Sequence, residues 1–377
     1  MTIIYLSNFF NHHQSSLSDR FYEATGGKYY FIETIQLPAE QAELGYPKLD
    51  RPYVLSYDTD KILAERLIME ADVVIHGQAP VRLIKKRLAV GKLTFHDNER
   101  RYKSIVKYLK WPVYTYNSWF LNKGYLLCAS AYASRDFGLS GMDSEKCFKW
   151  GYYTKVQDLD IDAILSNCKV ATHYISMMWC SRFLNWKHPE LPIKLAFILK
   201  NKGYRFVIDM YGSGKEYESM KCLAHKLGVD EVVRFHGSCP NDEILKQMCN
   251  HEIFLCTSDR YEGWGAVLNE AMASGCAVIA SHDIGAVPYL VQDGVNGLIF
   301  KSRDIDSLAE KVVWLINNKK QCEDIRRTAF ETMQNVWNAE VACRNFITLA
   351  ESLLNGTPCN IQHGPCSPAP RMNHNWM

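Results

Sequence analysis

What most constrains this chain is a recurrence. A short apolar run, a polar loop and an amphipathic helical pattern follow one another along almost its whole length. In the first half the runs fall at 3–6, 30–35, 73–75, 93–95 and 126–128; in the second they fall at 175–179, 206–210, 232–235, 253–256 and 277–280. Several are rich in β-branched residues and bounded by Gly, Asn, Asp or Ser. Between them, stretches such as 215–227 and 241–249 place apolar residues at i, i+3 and i+4. Strand alternating with helix argues for parallel sheets covered by helices on both faces.

A length of 377 residues is enough for two or three domains, each with its own core. The segment "QDLDIDAILSNCKVAT" separates the last run of the first half from the first strong strand of the second. The halves are similar in size, which favours two doubly wound domains facing across a cleft. The expected division is 1–165, 166–340 and a closing helix with an irregular tail over 341–377; Pro358, Pro365, Pro368 and Pro370 make 357–377 read as extended or disordered. The ordinary apolar and charged fractions and the net charge of +2 give no sign of a nucleic-acid or membrane protein. No apolar run approaches the ~18 residues of a membrane span, and the first residues lack a signal peptide's charged start. Thirteen cysteines, scattered singly with no C-x-x-C pair, argue against a disulfide framework or zinc site and for a reducing cytosol.

In such sheets ligands sit beyond the carboxyl ends of the strands. The strongest motif there is "DRYEGWGAVLNEAMASG", residues 259–275, after the run "IFLC". Gly263 and Gly265 flank Trp264 where a loop should become a helix, an arrangement that lets backbone amides approach an anion. Glu262 precedes the helix start and Glu270 lies about two turns inside it. If both were helical, eight residues would separate them by roughly 12 Å. Glycosidase carboxyl pairs stand at ~5–5.5 or ~6.5–9.5 Å. Two carboxylates binding different hydroxyls of one elongated ligand fit the spacing better than hydrolysis.

The frame "YEGWGAVLNEAMASG" resembles the retaining nucleotide-sugar glycosyltransferases of family 4, which have the GT-B fold. So do "CSRFLNWK" with Arg182 and Lys187, "FVIDMYGSGKE" with Gly212 and Gly214, "VVRFHGSCPNDEI" with Gly237, and "GAVPYLVQDGVNGLIF". The resemblance implies sugar contact for Glu262 and ribose contact for Glu270. It also implies that Gly263, Trp264, Gly265, Ala266 and Val267 face the donor, and that Arg182 and Lys187 neutralise its diphosphate. Ser181 and Trp264 depart from the commoner Gly and Phe. Implied overall is a metal-independent, cofactor-free transferase. It would carry a sugar from a UDP- or GDP-sugar to a glycan or lipid-linked acceptor, as in surface polysaccharide or glycolipid synthesis. A GT-B phosphorylase, a nucleotide-sugar epimerase or a non-catalytic GT-B partner are the alternatives.

The first half matches less closely. Its first loop, "SNFFNHHQSS", lacks the glycine pair many relatives carry, and His12 and His13 read equally as loop residues or ligands. His76 and His96, at strand ends, resemble acceptor-side landmarks, and His96 is placed beside the acceptor hydroxyl by the resemblance; either histidine reads equally as core. Arg100 and Arg101 follow on the same side. The stretch 82–110 holds ten Lys or Arg against Asp97 and Glu99. It reads either as a solvated face or as a basic surface for the anionic inner leaflet of a membrane, or for a phosphate-bearing acceptor, on a cytoplasmic protein. No nucleic-acid motif accompanies the charge. "GSGKE" is neither a P-loop nor G-x-G-x-x-G, and the D-x-D triplets at 58–60, 158–160 and 304–306 follow no convincing core strand, so no metal site is expected.

Overall fold

The computed structural model describes residues 1–35, 49–101, 121–171 (backbone only from 167) and 174–377. Its internal contacts form two units: Met1–Lys155 with Trp337–Trp376, and Val156–Val336.

Unit 1 is built on a parallel sheet of β1 (Ile3–Ser7), β2 (Tyr29–Glu33), β3 (Val54–Ser56), β4 (Val73–His76), β5 (Thr94–Asn98), β6 (Tyr125–Cys128) and β7 (Cys147–Lys149), in the order β3-β2-β1-β4-β5-β6-β7. β1 and β4 are buried along their whole length, as strands covered on both faces must be. Helix α1 (His12–Ala24) begins at a capping box. Asn11 Oδ1 accepts from the His13 amide at 2.9 Å, and Gln14 Oε1 accepts from the Asn11 amide at 3.1 Å. Helices α2 (Lys61–Glu70) and α3 (Lys85–Ala89) follow in this unit.

Unit 2 carries β8 (Ile175–Cys180), β9 (Phe206–Tyr211), β10 (Val233–Gly237), β11 (Ile253–Cys256), β12 (Ala277–Ser281) and β13 (Leu298–Phe300), again all parallel, in the order β10-β9-β8-β11-β12-β13. Its helices include α4 (Ile161–Ala171), α5 (Glu190–Asn201), α6 (Tyr217–Leu227), α7 (Asn241–Cys249), α8 (Ala266–Ala273), α9 (Ile305–Asn317) and α10 (Lys319–Asn335). In each sheet the strand order reverses once, between β1 and β4 and between β8 and β11. Chain segments leaving those neighbours diverge, and a crevice opens past their carboxyl ends.

Three expectations need correction. The first division falls before α4 rather than within it, because 157–162 is tied into unit 2. Arg327 Nη2 donates to Asp162 at 2.6 Å, and Gln334 donates to the Gln157 carbonyl at 3.1 Å. The second falls at 336/337, because α11 (Ala339–Asn355) belongs to unit 1. Its Phe346 is fully buried, with ring centroids 4.9 Å from Phe95, 5.3 Å from Phe21 and 5.8 Å from Trp150. The tail after Gly356 is packed, not loose. The Cys366 amide donates to the Lys149 carbonyl and the Ala369 amide to that of Cys147, at 2.8 and 2.9 Å. Phe148 and Pro368 form an antiparallel bridge. The tail thereby covers β7, whose unpaired backbone would otherwise form an open sheet edge.

Candidate functional site

The crevice of unit 2 is lined by the segments that follow β8 and β11. Past β8 the chain is held against the Gly212–Gly214 turn: the Phe183 amide donates to the Ser213 carbonyl at 2.8 Å, and the Ser181 amide to that of Tyr211 at 3.1 Å. A Cβ on Gly212 would lie 1.9 Å from the Ser181 carbonyl oxygen, and one on Gly214 2.5 Å from that of Phe183. These glycines permit close approach of two backbones, and what they position is the loop bearing Arg182. Gly237, at φ 72°, receives the Gly212 amide on its carbonyl at 2.7 Å. Phe183, buried, anchors the loop, whereas Arg182 points outward and is exposed.

Lys187 lies on one 3-10 turn (Asn185–Lys187). Its ammonium donates to Glu262 Oε2, and it sits 4.3 Å from the centroid of the Trp186 ring. The two side chains are only 10% and 13% exposed, so the pair is shielded from solvent. Ser258 Oγ donates to the same carboxylate oxygen at 3.0 Å. Sequence reasoning missed the residue that fixes this geometry. His188, at φ 51°, reaches Glu190 Oε1 from Nδ1 at 2.8 Å and Asp259 Oδ2 from Nε2 at 3.3 Å. Burial lowers its pKa, but these hydrogen bonds outweigh burial and raise it to about 9. Asp259 in turn donates its amide to the Trp186 carbonyl at 3.0 Å and accepts the Glu262 amide on its own carbonyl at 2.9 Å. The imidazolium therefore joins the Lys187 loop to the Glu262 loop.

Gly265 caps α8 at φ 93°, ψ 62°, and a Cβ there would meet Ile284 Cγ2 at 3.0 Å and Glu262 Cγ at 3.3 Å. The left-handed glycine lets Glu262 fold back over the helix start, with the backbone of Ala266 and Val267 forming the first turn. Glu262 is thus outside the helix, and Glu270 lies about one turn inside rather than two, so a helical rise does not measure their separation. Burial pushes the Glu270 carboxyl up to about 7, against a lowering hydrogen bond from Asn241 at the start of α7. Trp264 does not face a ligand. It is fully buried, its indole N–H bound to Asn269 Oδ1 at 2.9 Å. Gly263 is also buried.

The residues expected on the acceptor side fare differently. His76 and His96 are core residues, 3% and 0% exposed, paired Nδ1 to Nδ1 at 3.4 Å. His76 Nε2 is bonded to the Ala79 carbonyl at 2.9 Å, which fixes its proton there. Burial pushes the His76 pKa down to about 4 and that of His96 well below its usual value. Neither stands at a free surface. Arg100 bonds His374 of the tail at 2.6 Å and covers the Tyr132 ring at 4.7 Å; Arg101 covers Phe137 at 4.0 Å. His12 and His13 open α1, both with pKa values lowered by burial, His13 to about 3. In the basic stretch, Arg87 is fully buried. Its five N–H groups reach the carbonyls of Ile68, Ala71, Asp72 and Leu93 and the Thr94 hydroxyl, at 2.7–3.1 Å. It fastens α3 to α2 and β5 and is no part of a surface. Residues 102–110 lie outside the described residues.

Unit 1 does hold a cavity, of about 190 Å³, at its own strand-order reversal. Tyr5, Ser7, His13, Gln78, Asp97 and Tyr152 are among its lining. Tyr5 O–H donates to Asp97 Oδ2, and Tyr152 O–H donates to Glu99 Oε1 at 2.7 Å. Among the described residues no group of three or more His, Cys, Asp or Glu is placed to hold a metal ion, and no helix is long and apolar enough to cross a membrane.

Comparison with known proteins agrees with this architecture. The structure of the Anabaena protein HepE in complex with UDP superposes over 94% of this chain and 100% of its own, with a TM-score of 0.67 at 16% identity. The fold is GT-B. Within this GT-B chain, residues 161–332 match the family model described as Glycosyl transferases group 1. That stretch holds Arg182, Lys187, Gly212, Gly237, Glu262 and Glu270. Over 132 residues the chain is 33% identical to an uncharacterized glycosyltransferase of Methanocaldococcus jannaschii, covering 34% of this chain and 35% of that one. It is 30% identical to a GDP-mannose-dependent alpha-(1-6)-phosphatidylinositol monomannoside mannosyltransferase of Mycobacterium tuberculosis, covering 33% of this chain and 34% of that one. The chain thus spans about a third of the length of these curated relatives.

Proposed function

We propose that this protein is a glycosyltransferase that moves a sugar from a nucleotide diphosphate donor to a glycan or lipid-linked acceptor, with retained anomeric configuration and without a metal. The observation that carries the reading is the shielded Lys187–Glu262 pair beside the Gly265 helix start, at the strand-order reversal of unit 2.

An ammonium has three N–H donors. Lys187 directs one at Glu262, which leaves two for diphosphate oxygens. Arg182, exposed on its glycine-backed loop, adds a planar guanidinium, and the first turn of α8 adds amides. Negative charge grows on the diphosphate as the sugar departs, so these donors bind the transition state more strongly than the ground state. The hydrogen bonds from Lys187 and Ser258 both fall on Glu262 Oε2, which leaves Oε1 to accept a sugar hydroxyl. Glu270, deeper along the helix, is the acceptor assigned to the ribose. Retention is supported by the resemblance in motif order. A front-face path, in which the leaving phosphate takes the acceptor proton, requires no enzymatic nucleophile. Among described residues of the basic stretch, Arg82, Lys85, Lys86 and Lys92 are at least partly accessible and form the portion assigned to an anionic leaflet on a cytoplasmic protein.

Purified protein incubated with UDP-, GDP- and ADP-sugars, with and without EDTA, tests the proposal. Nucleotide release from at least one donor, undiminished by EDTA, is the expected result. Activity lost to EDTA and restored by manganese would overturn the assignment of diphosphate charge to Lys187, Arg182 and helix amides. No release from any donor would overturn the transferase reading.

A further inference from the structure

We propose that the groove between α5 and α9, on the outside of unit 2, is the face by which two copies of this chain associate about a twofold axis. No residue of the groove belongs to the candidate site, so the association is independent of the transferase reading.

A helix that covers a sheet buries one stripe and turns a polar stripe to water. α9 buries Leu308, Val312 and Leu315 in the core of unit 2. Its outward stripe carries Asp306, Glu310, Val313, Trp314 and Asn317 at helical spacing, and that stripe turns apolar at Val313 and Trp314. Alongside it, α5 turns Phe197 outward and contributes Ile198 to the same groove, with Lys202 just past its end. Trp314 is 39% exposed and Phe197 40%. A lone exposed apolar side chain needs no partner, but two adjoining helices sharing an apolar groove of about 540 Å³ mark an interaction face. The groove is wide enough to take an indole ring from a second molecule, and tryptophan is prominent among the residues that anchor such contacts.

Charge decides what fits. Lys202 stands at the Asn317 end, because Asn317 Nδ2 donates at 3.4 Å to the hydroxyl of Tyr204, just past Lys202. Asp306 lies near the opposite end of α9, roughly 16 Å away along the helix, with Glu310 between. Among the described residues, these three charged side chains have no hydrogen-bonding or ion-pair partner in the chain, whereas the neighbouring Lys200 and Lys311 pair with Glu231 and Asp293. The groove is thus positive at one end, negative toward the other and apolar between.

A twofold interface sets one patch against itself and therefore needs self-complementarity. A half-turn about the middle of the groove brings each Lys202 to the other copy's Asp306. It also brings Trp314, one turn from Asn317, over the other copy's Ala309, one turn from Asp306. A large ring then meets a small side chain. An apolar centre with a polar rim is the anatomy of a protein interface. An anionic leaflet or a nucleic acid would meet two carboxylates and one ammonium in this groove.

The test is sedimentation velocity of the full chain at loading concentrations from about 1 to about 100 µM. A reversible equilibrium between monomer and dimer is expected within that range. Trp314→Ala should raise the dissociation constant at least about thirtyfold. Lys202→Glu and Asp306→Lys should each raise it about fivefold or more, and the double variant, which restores opposite charges across the axis, should associate more tightly than either. The charge variants keep the proposal exposed should Trp314→Ala fail to fold. A monomer at every concentration, including one whose groove instead takes up vesicles or another protein, would overturn the proposal. So would a dimer indifferent to a folded Trp314→Ala, or a double variant no tighter than the single ones.

Discussion

Replacing His188 by asparagine tests whether a charged imidazole holds the two loops of the candidate site together. The backbone there is left-handed, at φ 51°, a conformation asparagine tolerates better than most residues. The substitution therefore removes the charge with little backbone strain. Hydrogen bonds to Asp259 and Glu190 outweigh burial and raise the His188 pKa from 6.5 to about 9, and Glu190 is correspondingly lowered. Each pKa unit is worth about 1.4 kcal/mol, so the imidazolium contributes roughly 3 kcal/mol to the folded state. The side chain is 11% exposed, so solvent screening takes little of this.

The sign follows from proton binding. Between pH 6.5 and about 9 the folded state holds a proton that the unfolded state has lost. The contribution is complete below 6.5 and disappears as pH rises through 9. Guanidinium unfolding at pH 6.5 and 9.5 should show the wild type losing roughly 3 kcal/mol more than His188→Asn. Groups common to both proteins cancel in that difference. Donor KM in the wild type should rise over the same window, because Lys187 and Asp259 flank this residue. Parallel stability curves for the two proteins would refute the idea that His188 carries a charge at neutral pH.

Three further outcomes follow from the same geometry. Lys187→Ala strands a shielded carboxylate and should cost on the order of 3 kcal/mol of stability as well as turnover, whereas exposed Arg182→Ala should lower turnover and leave thermal unfolding unchanged. Nucleotide affinity measured by calorimetry should rise as pH climbs through about 7, because the Glu270 carboxylate accepts ribose hydroxyls better than its acid does, and Glu270→Gln should flatten that dependence. Gly212→Ala forces a Cβ to 1.9 Å from the Ser181 carbonyl and should cripple folding or displace the Arg182 loop; Gly237→Ala meets no atom within 4 Å and should cost only the left-handed penalty of about 1–2 kcal/mol, read from thermal melts.

Most sheet strands were legible in the sequence because buried parallel strands are continuous apolar runs, which stand out against polar loops. β3, β7 and β13 did not stand out. Each is three residues long and is the last strand of its sheet, so the apolar signal is short. The tail was misread for a related reason. Four prolines in 21 residues look like a loose end, yet proline suits a segment that lies along a sheet edge, where it has fewer amides to pair. Pro368 does so against Phe148. The closing helix was recognised as a helix but assigned to neither unit, because amphipathicity reveals that a face is buried without naming what buries it.

The same distinction explains which residues of the candidate site were visible. Glu262, Glu270, Arg182 and Lys187 announce themselves because chemistry restricts the residue type and a motif fixes the spacing. His188 did not, because its place there depends on a partner remote in sequence: Asp259 is 71 positions away. Arg87 makes the converse error plain. Counted along the chain, it is one more positive charge on a surface; in the fold, five donors saturated by neighbouring oxygen atoms make it part of the core. A linear count of charges weighs every arginine alike. Among the described residues, a membrane-facing role for the basic stretch rests on accessible cations such as Arg82, Lys85, Lys86 and Lys92, and neutralising Arg87 would test folding rather than docking.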